Sequence, residues 1–172
     1  SLRGIAAALA AAATASSALA GPYEDREADW RNGAVVYQVL VDRFAPSRNL
    51  AAKRQLYAPP RRLRDWSEEP TVGPYDERNK VGAHELDFWG GDFDSLRGRL
   101  DHIAGLGAQV VYLNPIHLGF TNHKYDALDF KQISPEYGTR EDVKALAAEL
   151  HRRGMKLVLD GVFNHMGRNA PA

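Results

Sequence analysis

The sequence predicts an α/β protein organised around a parallel sheet, and three observations predict it. Short apolar runs recur at Ala34–Val41, Val110–Leu113 and Lys156–Leu159. Two amphipathic helical patterns separate them, and each helix leads at once into the next run. The runs are nearly continuous rather than alternating, which suits strands covered on both faces. Strand–helix–strand–helix–strand order then requires right-handed crossovers between parallel neighbours.

Residues 1–20, SLRGIAAALAAAATASSALA, place one cation, Arg3, before a run of Ile, Leu and Ala. They end on the small-x-small site Ala18-Leu19-Ala20, the pattern of a secretory signal peptide. A secreted or periplasmic location is expected, with residues 21–33 as a lead-in and the domain proper at 34–172. The first strand closes on Asp42-Arg43-Phe44. About forty-five residues, Ala45–Trp89, then precede the first helix; an insertion this long is functional or forms a small subdomain. After Phe93, the residues Leu96, Leu100, Ile103 and Ala104 share one helical face, with Asp92 or Asp94 as cap and Gly107 as terminator. The second helix opens on the capping box Thr139-Arg-Glu-Asp142. Val143, Leu146, Ala147 and Leu150 form its apolar stripe, and Gly154 its left-handed end. The connection from Asn114 to Gly138 is also long, and like the first insertion it follows a strand. Both therefore sit at the carboxyl edge of the sheet, where α/β proteins bind ligands.

Composition narrows the function. The 172 residues carry 22 Lys+Arg against 22 Asp+Glu, so no basic excess exists for nucleic acid or an anionic membrane. After removal of the leader no segment resembles a membrane span. The absence of cysteine excludes a disulfide framework, thiol catalysis and Cys-ligated zinc. A dinucleotide fold fails at its first turn: Asp42-Arg-Phe-Ala-Pro has no glycine fingerprint, and Gly105-Leu-Gly107 precedes a strand instead of opening a helix.

Two clusters carry chemistry. Asp160-Gly-Val-Phe-Asn164-His165 begins at the end of the third strand, so a carboxylate, an amide and an imidazole emerge together. Asp160 and Asn164 equally suit the tying down of loop backbone. Asn122-His123-Lys-Tyr125-Asp126 follows the second strand. Tyr125 offers a flat ring with a polar tip, suited to stacking on a sugar or to packing. His123, His165 and Asp160 lack the tight spacing of a catalytic metal site.

Four segments together carry a resemblance. Tyr37-Gln-Val-Leu-Val-Asp42-Arg-Phe44 resembles the first-strand segment of the α-amylase family, glycoside hydrolase family 13. Phe88-Trp-Gly-Gly-Asp92-Phe93 is similar to that family's entry to its first helix, and Val111-Tyr-Leu-Asn-Pro-Ile116 with Asn122–Asp126 to its second strand and loop. Asp160-Gly-Val-Phe-Asn-His165 is similar to the first of its short motifs, and the Asn-His-Lys-Tyr-Asp form resembles the neopullulanase and cyclomaltodextrinase branch. The resemblance implies a partial (β/α)8 TIM barrel covering strands 1–3 and helices 1–2, with a long insertion after strand 1. It implies cleavage of α-glucosidic bonds in starch or maltooligosaccharides with retention. Tyr125 would stack on the sugar, His165 and His123 would line its subsite, and Asp160 would be a buried supporting carboxylate. Asn164 is a calcium ligand in many relatives, and the first insertion holds another calcium in some.

Retaining hydrolysis needs two carboxyl groups about 5–5.5 Å apart, and in the family these follow later strands. The sequence therefore reads as a truncated portion of the enzyme, inactive alone. A transglycosylase or isomerase, a non-catalytic carbohydrate-binding remnant and a nonfunctional product are the competing readings.

Overall fold

The computed structural model of the chain describes residues 21–171. The expected leader lies outside the described residues. The described chain falls into two units that divide between Gly33 and Ala34. The first carries a short helix, α1 (Pro22–Glu27).

The second unit opens with β1 (Val36–Val39), a 3-10 turn at Val41–Arg43 and the short helix α2 (Leu50–Lys53). Within the long insertion β2 (Arg62–Leu63) pairs in parallel with β5 (Asp87–Phe88), and β3 (Tyr75–Asp76) pairs antiparallel with β4 (Val81–Gly82). Helices α3 (Phe93–Arg97) and α4 (Leu100–Gly105) lead into β6 (Val110–Leu113). A hairpin of β7 (His117–Gly119) and β8 (Ala127–Ile133) follows, then α5 (Arg140–Arg152) and β9 (Lys156–Leu159). The sheet runs β1-β6-β9, all parallel, with Val36, Val110 and Lys156 in register at one end and Val39, Leu113 and Leu159 at the other.

Hydrophobic burial holds the helices to one face of this sheet. Val39, Val111 and Leu113 pack in one core with Leu96, Leu100, Ile103, Leu146 and Leu150, all essentially without solvent contact. Each fully buried aliphatic of this kind contributes about 1.5–3 kcal/mol. The alternate residues behave differently. Val36 is 53% exposed, and Gln38 and Lys156 are exposed too. The expectation of a sheet covered on both faces is therefore corrected: the side away from the helices is open at both outer strands.

Two local expectations are also corrected. The first apolar run leaves the sheet after Val39, because Val41–Arg43 coil into the 3-10 turn. The first helical pattern is two helices. Gly98 closes α3 by donating its N–H to the Asp94 carbonyl at 3.0 Å, and Arg99 takes φ −117°, ψ 13°, outside the helix. Glycine is a weak helix former, so the break falls there. Asp92 caps α3 by accepting from the Ser95 N–H at 2.8 Å, and the Thr139–Asp142 box caps α5 as the pattern predicts.

Asp42 explains why the chain turns at the end of β1. Its carboxylate is fully buried and accepts the backbone N–H groups of Trp89 (3.0 Å) and Gly90 (2.9 Å). Gly91 continues the contact, donating to the Asp42 carbonyl at 2.8 Å, and a Cβ there would collide with the Val41 carbonyl. The far end of the insertion is thus clamped onto its start. Burial pushes the Asp42 carboxyl up to about 6, against the pull of the two N–H groups. Asp42→Ala leaves both N–H groups buried and unpaired, at about 1–3 kcal/mol each. We expect it to lower unfolding stability by roughly 2–5 kcal/mol in urea titration; a change below 1 kcal/mol would refute the clamp.

Candidate functional site

The loop between β7 and β8 alternates anchors with half-buried groups. Asn122 is buried, its amide donating to the carbonyls of His84 (2.7 Å) and Asp87 (2.8 Å) while its own carbonyl accepts from the Tyr137 hydroxyl at 2.6 Å. Lys124 is buried completely. Asp126 accepts the N–H groups of Phe120 and Thr121 and the Thr121 hydroxyl, which closes the turn. Between these anchors His123 and Tyr125 remain half-buried.

Lys124 is held by charge. Its ammonium donates to Glu136 Oε1 at 2.9 Å and to the Gly119 carbonyl at 3.1 Å, and it lies over the rings of Phe88 and Tyr137. Arg61, from the first insertion, donates to the same Glu136 oxygen at 2.7 Å. The Ser134 hydroxyl takes the second oxygen at 2.7 Å. Burial alone would raise the Glu136 carboxyl, but Lys124, Arg61 and Ser134 outweigh it and hold it below its ordinary value.

The third-strand motif meets this loop. Tyr125 donates its hydroxyl to Asp160 Oδ2 at 2.8 Å. Burial and that carboxylate together push the phenol up to about 12. His165 Nε2 lies 3.0 Å from the Tyr125 carbonyl, which is an acceptor, so this nitrogen carries the proton. His165 Nδ1 then accepts from the Asn164 amide at 2.8 Å. The Tyr125 N–H donates to His123 Nδ1 at 3.1 Å, so neutral His123 keeps its proton on Nε2, 3.7 Å from Glu85. Burial holds the His123 imidazole below its ordinary pKa. Gly167 closes the junction. Its N–H donates to the Ala127 carbonyl at 2.7 Å, and a Cβ there would lie 2.6 Å from the Asp126 carbonyl.

The five residues singled out from the sequence, His123, Tyr125, Asp160, Asn164 and His165, thus form one linked cluster. His123, Tyr125 and His165 line a groove of about 270 Å³ with Phe120, Asp126 and Met166. Asp160 differs from its expectation: it is half-buried, not buried, because it lines a second groove of about 320 Å³ with His117, Phe130, Leu159 and Phe163.

Residues 38–171 match the family described as alpha amylase, catalytic domain. The chain belongs to this family. An amylopullulanase of Thermoanaerobacterium saccharolyticum is 38% identical over 149 residues, covering 80% of this chain and 11% of that protein. An intracellular maltogenic amylase of Bacillus subtilis (strain 168) is 37% identical, covering 83% and 21%. Among solved structures, the ligand-free cyclic alpha-maltosyl-(1→6)-maltose hydrolase from Arthrobacter globiformis aligns with a TM-score of 0.65 at 37% identity, covering 83% of this chain and 28% of that one. The chain therefore spans about a tenth to a fifth of the curated relatives it matches, and part of the (β/α)8 barrel that the alpha-amylase catalytic domain implies.

Among the described residues alone, the calcium expected from the alpha-amylase resemblance does not find a full donor set. Asn164 is exposed, and with its Nδ2 on His165 it offers a single side-chain oxygen, whereas a calcium ion takes six to eight. In the first insertion a cation is already present: Lys53 Nζ donates to Asp92 Oδ2 at 2.8 Å and to the Glu136 carbonyl at 2.9 Å. No group of three or more His, Cys, Asp or Glu among the described residues could hold a metal ion. Sequence reasoning missed Glu136, Arg61 and the buried state of Lys124, since each reads as an ordinary surface charge. It also missed Tyr112, whose phenol is raised by its hydrogen bond to Asp160.

A lowered folded-state carboxyl contributes stability above its unfolded pKa and loses it as pH falls through the folded value. Glu136→Gln should therefore flatten the acid limb of a stability–pH curve below about pH 4.5. A limb of unchanged steepness would show that Glu136 does not supply it.

Proposed function

We propose that this chain carries sugar-contacting residues of an exported, retaining glycoside hydrolase acting on α-1,4-linked glucans such as starch and maltooligosaccharides. One observation carries the reading: the ring of Tyr125 and the imidazole of His165 line one groove and are locked by the 3.0 Å contact between His165 and the Tyr125 carbonyl. A tyrosine face suits the C–H face of a pyranose, and His165 Nδ1, an acceptor because Nε2 carries the proton, suits a sugar hydroxyl that takes the place of the exposed Asn164 amide. The Arthrobacter globiformis hydrolase, also solved with cyclic alpha-maltosyl-(1→6)-maltose, supports an α-glucan ligand at 37% identity.

We assign no nucleophile or acid/base to these residues. A retaining pair would need two carboxyl groups free to face the bond. Asp126 is occupied by Phe120 and Thr121, and Asp160 accepts from Tyr125. Asp160 is read as a support that sets the angle of the Tyr125 ring.

Titration of the full chain with maltoheptaose tests the binding part. Tyr125→Ala should weaken affinity by roughly 0.5–1.5 kcal/mol, using aromatic pairs as a guide. Unchanged affinity would refute the platform. The wild-type chain should release no sugar from maltoheptaose, and measurable turnover would place a catalytic carboxylate among these residues. In an enzyme that contains this segment and turns over, His165→Ala should lower kcat more than it raises KM, because the contact strengthens toward an oxocarbenium-like state. A pure KM effect would refute that role.

A further inference from the structure

The groove residues hang on a backbone turn that needs an explanation. Lys124 has φ +62°, an uncommon conformation for a residue other than glycine. Its side chain goes into the protein while its neighbours His123 and Tyr125 line the groove. We propose that Lys124, Glu136 and Arg61 are positioning residues: their buried ion cluster holds the left-handed turn that presents His123 and Tyr125 side by side. The functional part of this inference rests on the reading of Tyr125 as a sugar platform.

The cluster has the geometry for the task. Glu136 has no solvent contact, and both cations converge on its Oε1, at 2.9 Å from Lys124 and 2.7 Å from Arg61. Lys124 and Arg61 also share the Gly119 carbonyl, each at 3.1 Å, which ties the start of the loop to its centre. Arg61 adds the Phe120 carbonyl at 3.1 Å, so the residues flanking the groove are gripped from the first insertion. The excess positive charge is met by these carbonyls and by the Phe88 ring, which faces both cations. The rings of His123 and Tyr125 then stand 5.6 Å apart, and Tyr125 reaches Asp160.

A buried ion cluster need not add net stability; apolar replacement of the whole set is often neutral or stabilising, whereas removal of one partner strands a charge. That separates positioning from folding. In the full chain, Lys124→Met combined with Glu136→Leu keeps the volume and removes two opposite charges together, while Arg61, whose side chain is 17% exposed, keeps the Leu56, Gly119 and Phe120 carbonyls as acceptors. Two readouts apply, NMR cross-peaks between the ring protons of His123 and Tyr125, and maltoheptaose affinity. The expected result is a cooperatively folded variant that loses the cross-peaks and binds at least fivefold more weakly. Lys124→Arg, which keeps the charge, should retain both. A folded double variant with wild-type cross-peaks and affinity overturns the proposal. If the double variant does not fold, Glu136→Gln decides, with weakened cross-peaks expected and unchanged ones overturning. If Tyr125→Ala leaves wild-type affinity intact, the sugar reading fails, while the cross-peaks still judge the positioning role.

Discussion

The carboxylate of Glu136 carries a charge that water does not reach, and the loops above the sheet are arranged around its neutralisation. A buried charge is tolerated when it is paired and hydrogen-bonded on every side. Lys124 reaches Glu136 from the hairpin, Arg61 from the first insertion and Ser134 from the end of β8's segment. Two stretches that share no strand pairing, the first insertion and the β7–β8 hairpin with its exit, are thereby referred to one point. The sheet below needs no such device. Its strands and helices are held by apolar area, which is non-directional and leaves the loops free to take many paths. Loop geometry is set by directional contacts, and the strongest of these meet at Glu136.

The parts legible in the sequence are those that rest on periodicity. The three strands, the α5 stripe with its Thr139 cap, and the emergence of Asp160 at a strand end all follow from local pattern. The cluster of Tyr125 with His165 was legible through short motifs, since each sits just past a strand and neighbouring strand ends share an edge. What stayed hidden depends on distant pairing. Arg61 and Glu136 are 75 residues apart, and nothing near either distinguishes it from a solvated charge. Asp42 was visible as a strand end but not as a clamp, because its donors are the backbone N–H groups of Trp89 and Gly90, which no side-chain pattern encodes. The break at Gly98 was masked by an apolar spacing that two short helices satisfy as well as one.

Those hidden contacts also explain the shape of the site. The Asp42 clamp fixes the far end of the insertion, and the β2–β5 pairing next to it carries Arg61 to the hairpin. Without Gly167 close to the Asp126 carbonyl, the His165 segment would stand off from Tyr125. The groove is thus assembled by backbone approach at its margins and by charge at its centre, and its side chains are linked to one another by the Tyr125–Asp160 and His165–Tyr125 hydrogen bonds. Such a design fixes the separation of the Tyr125 ring and the His165 imidazole in the unliganded chain, and preorganisation of this kind lowers the cost of binding.

The three strand ends show why Asp160 is a support in this geometry. Asn114 donates its N–H to the Val39 carbonyl and Asp160 donates its N–H to the Leu113 carbonyl, each at 3.0 Å, so each ladder is extended by one residue. The side chain at that step then serves a neighbour. Asn114 accepts from the Gln38 amide at 2.8 Å, and Asp160 accepts from the Tyr125 hydroxyl at 2.8 Å. Asp42, just past β1, accepts two backbone N–H groups in the same manner. All three are acceptors that fix what lies above the sheet, and they differ in what they hold: backbone for Asp42, a strand side chain for Asn114, and a groove-lining ring for Asp160. A carboxylate set to attack would need an oxygen aimed at the ligand and free of such a partner. Asp160 instead accepts from Tyr125, so what this strand end fixes in the structure is the angle of that groove-lining ring.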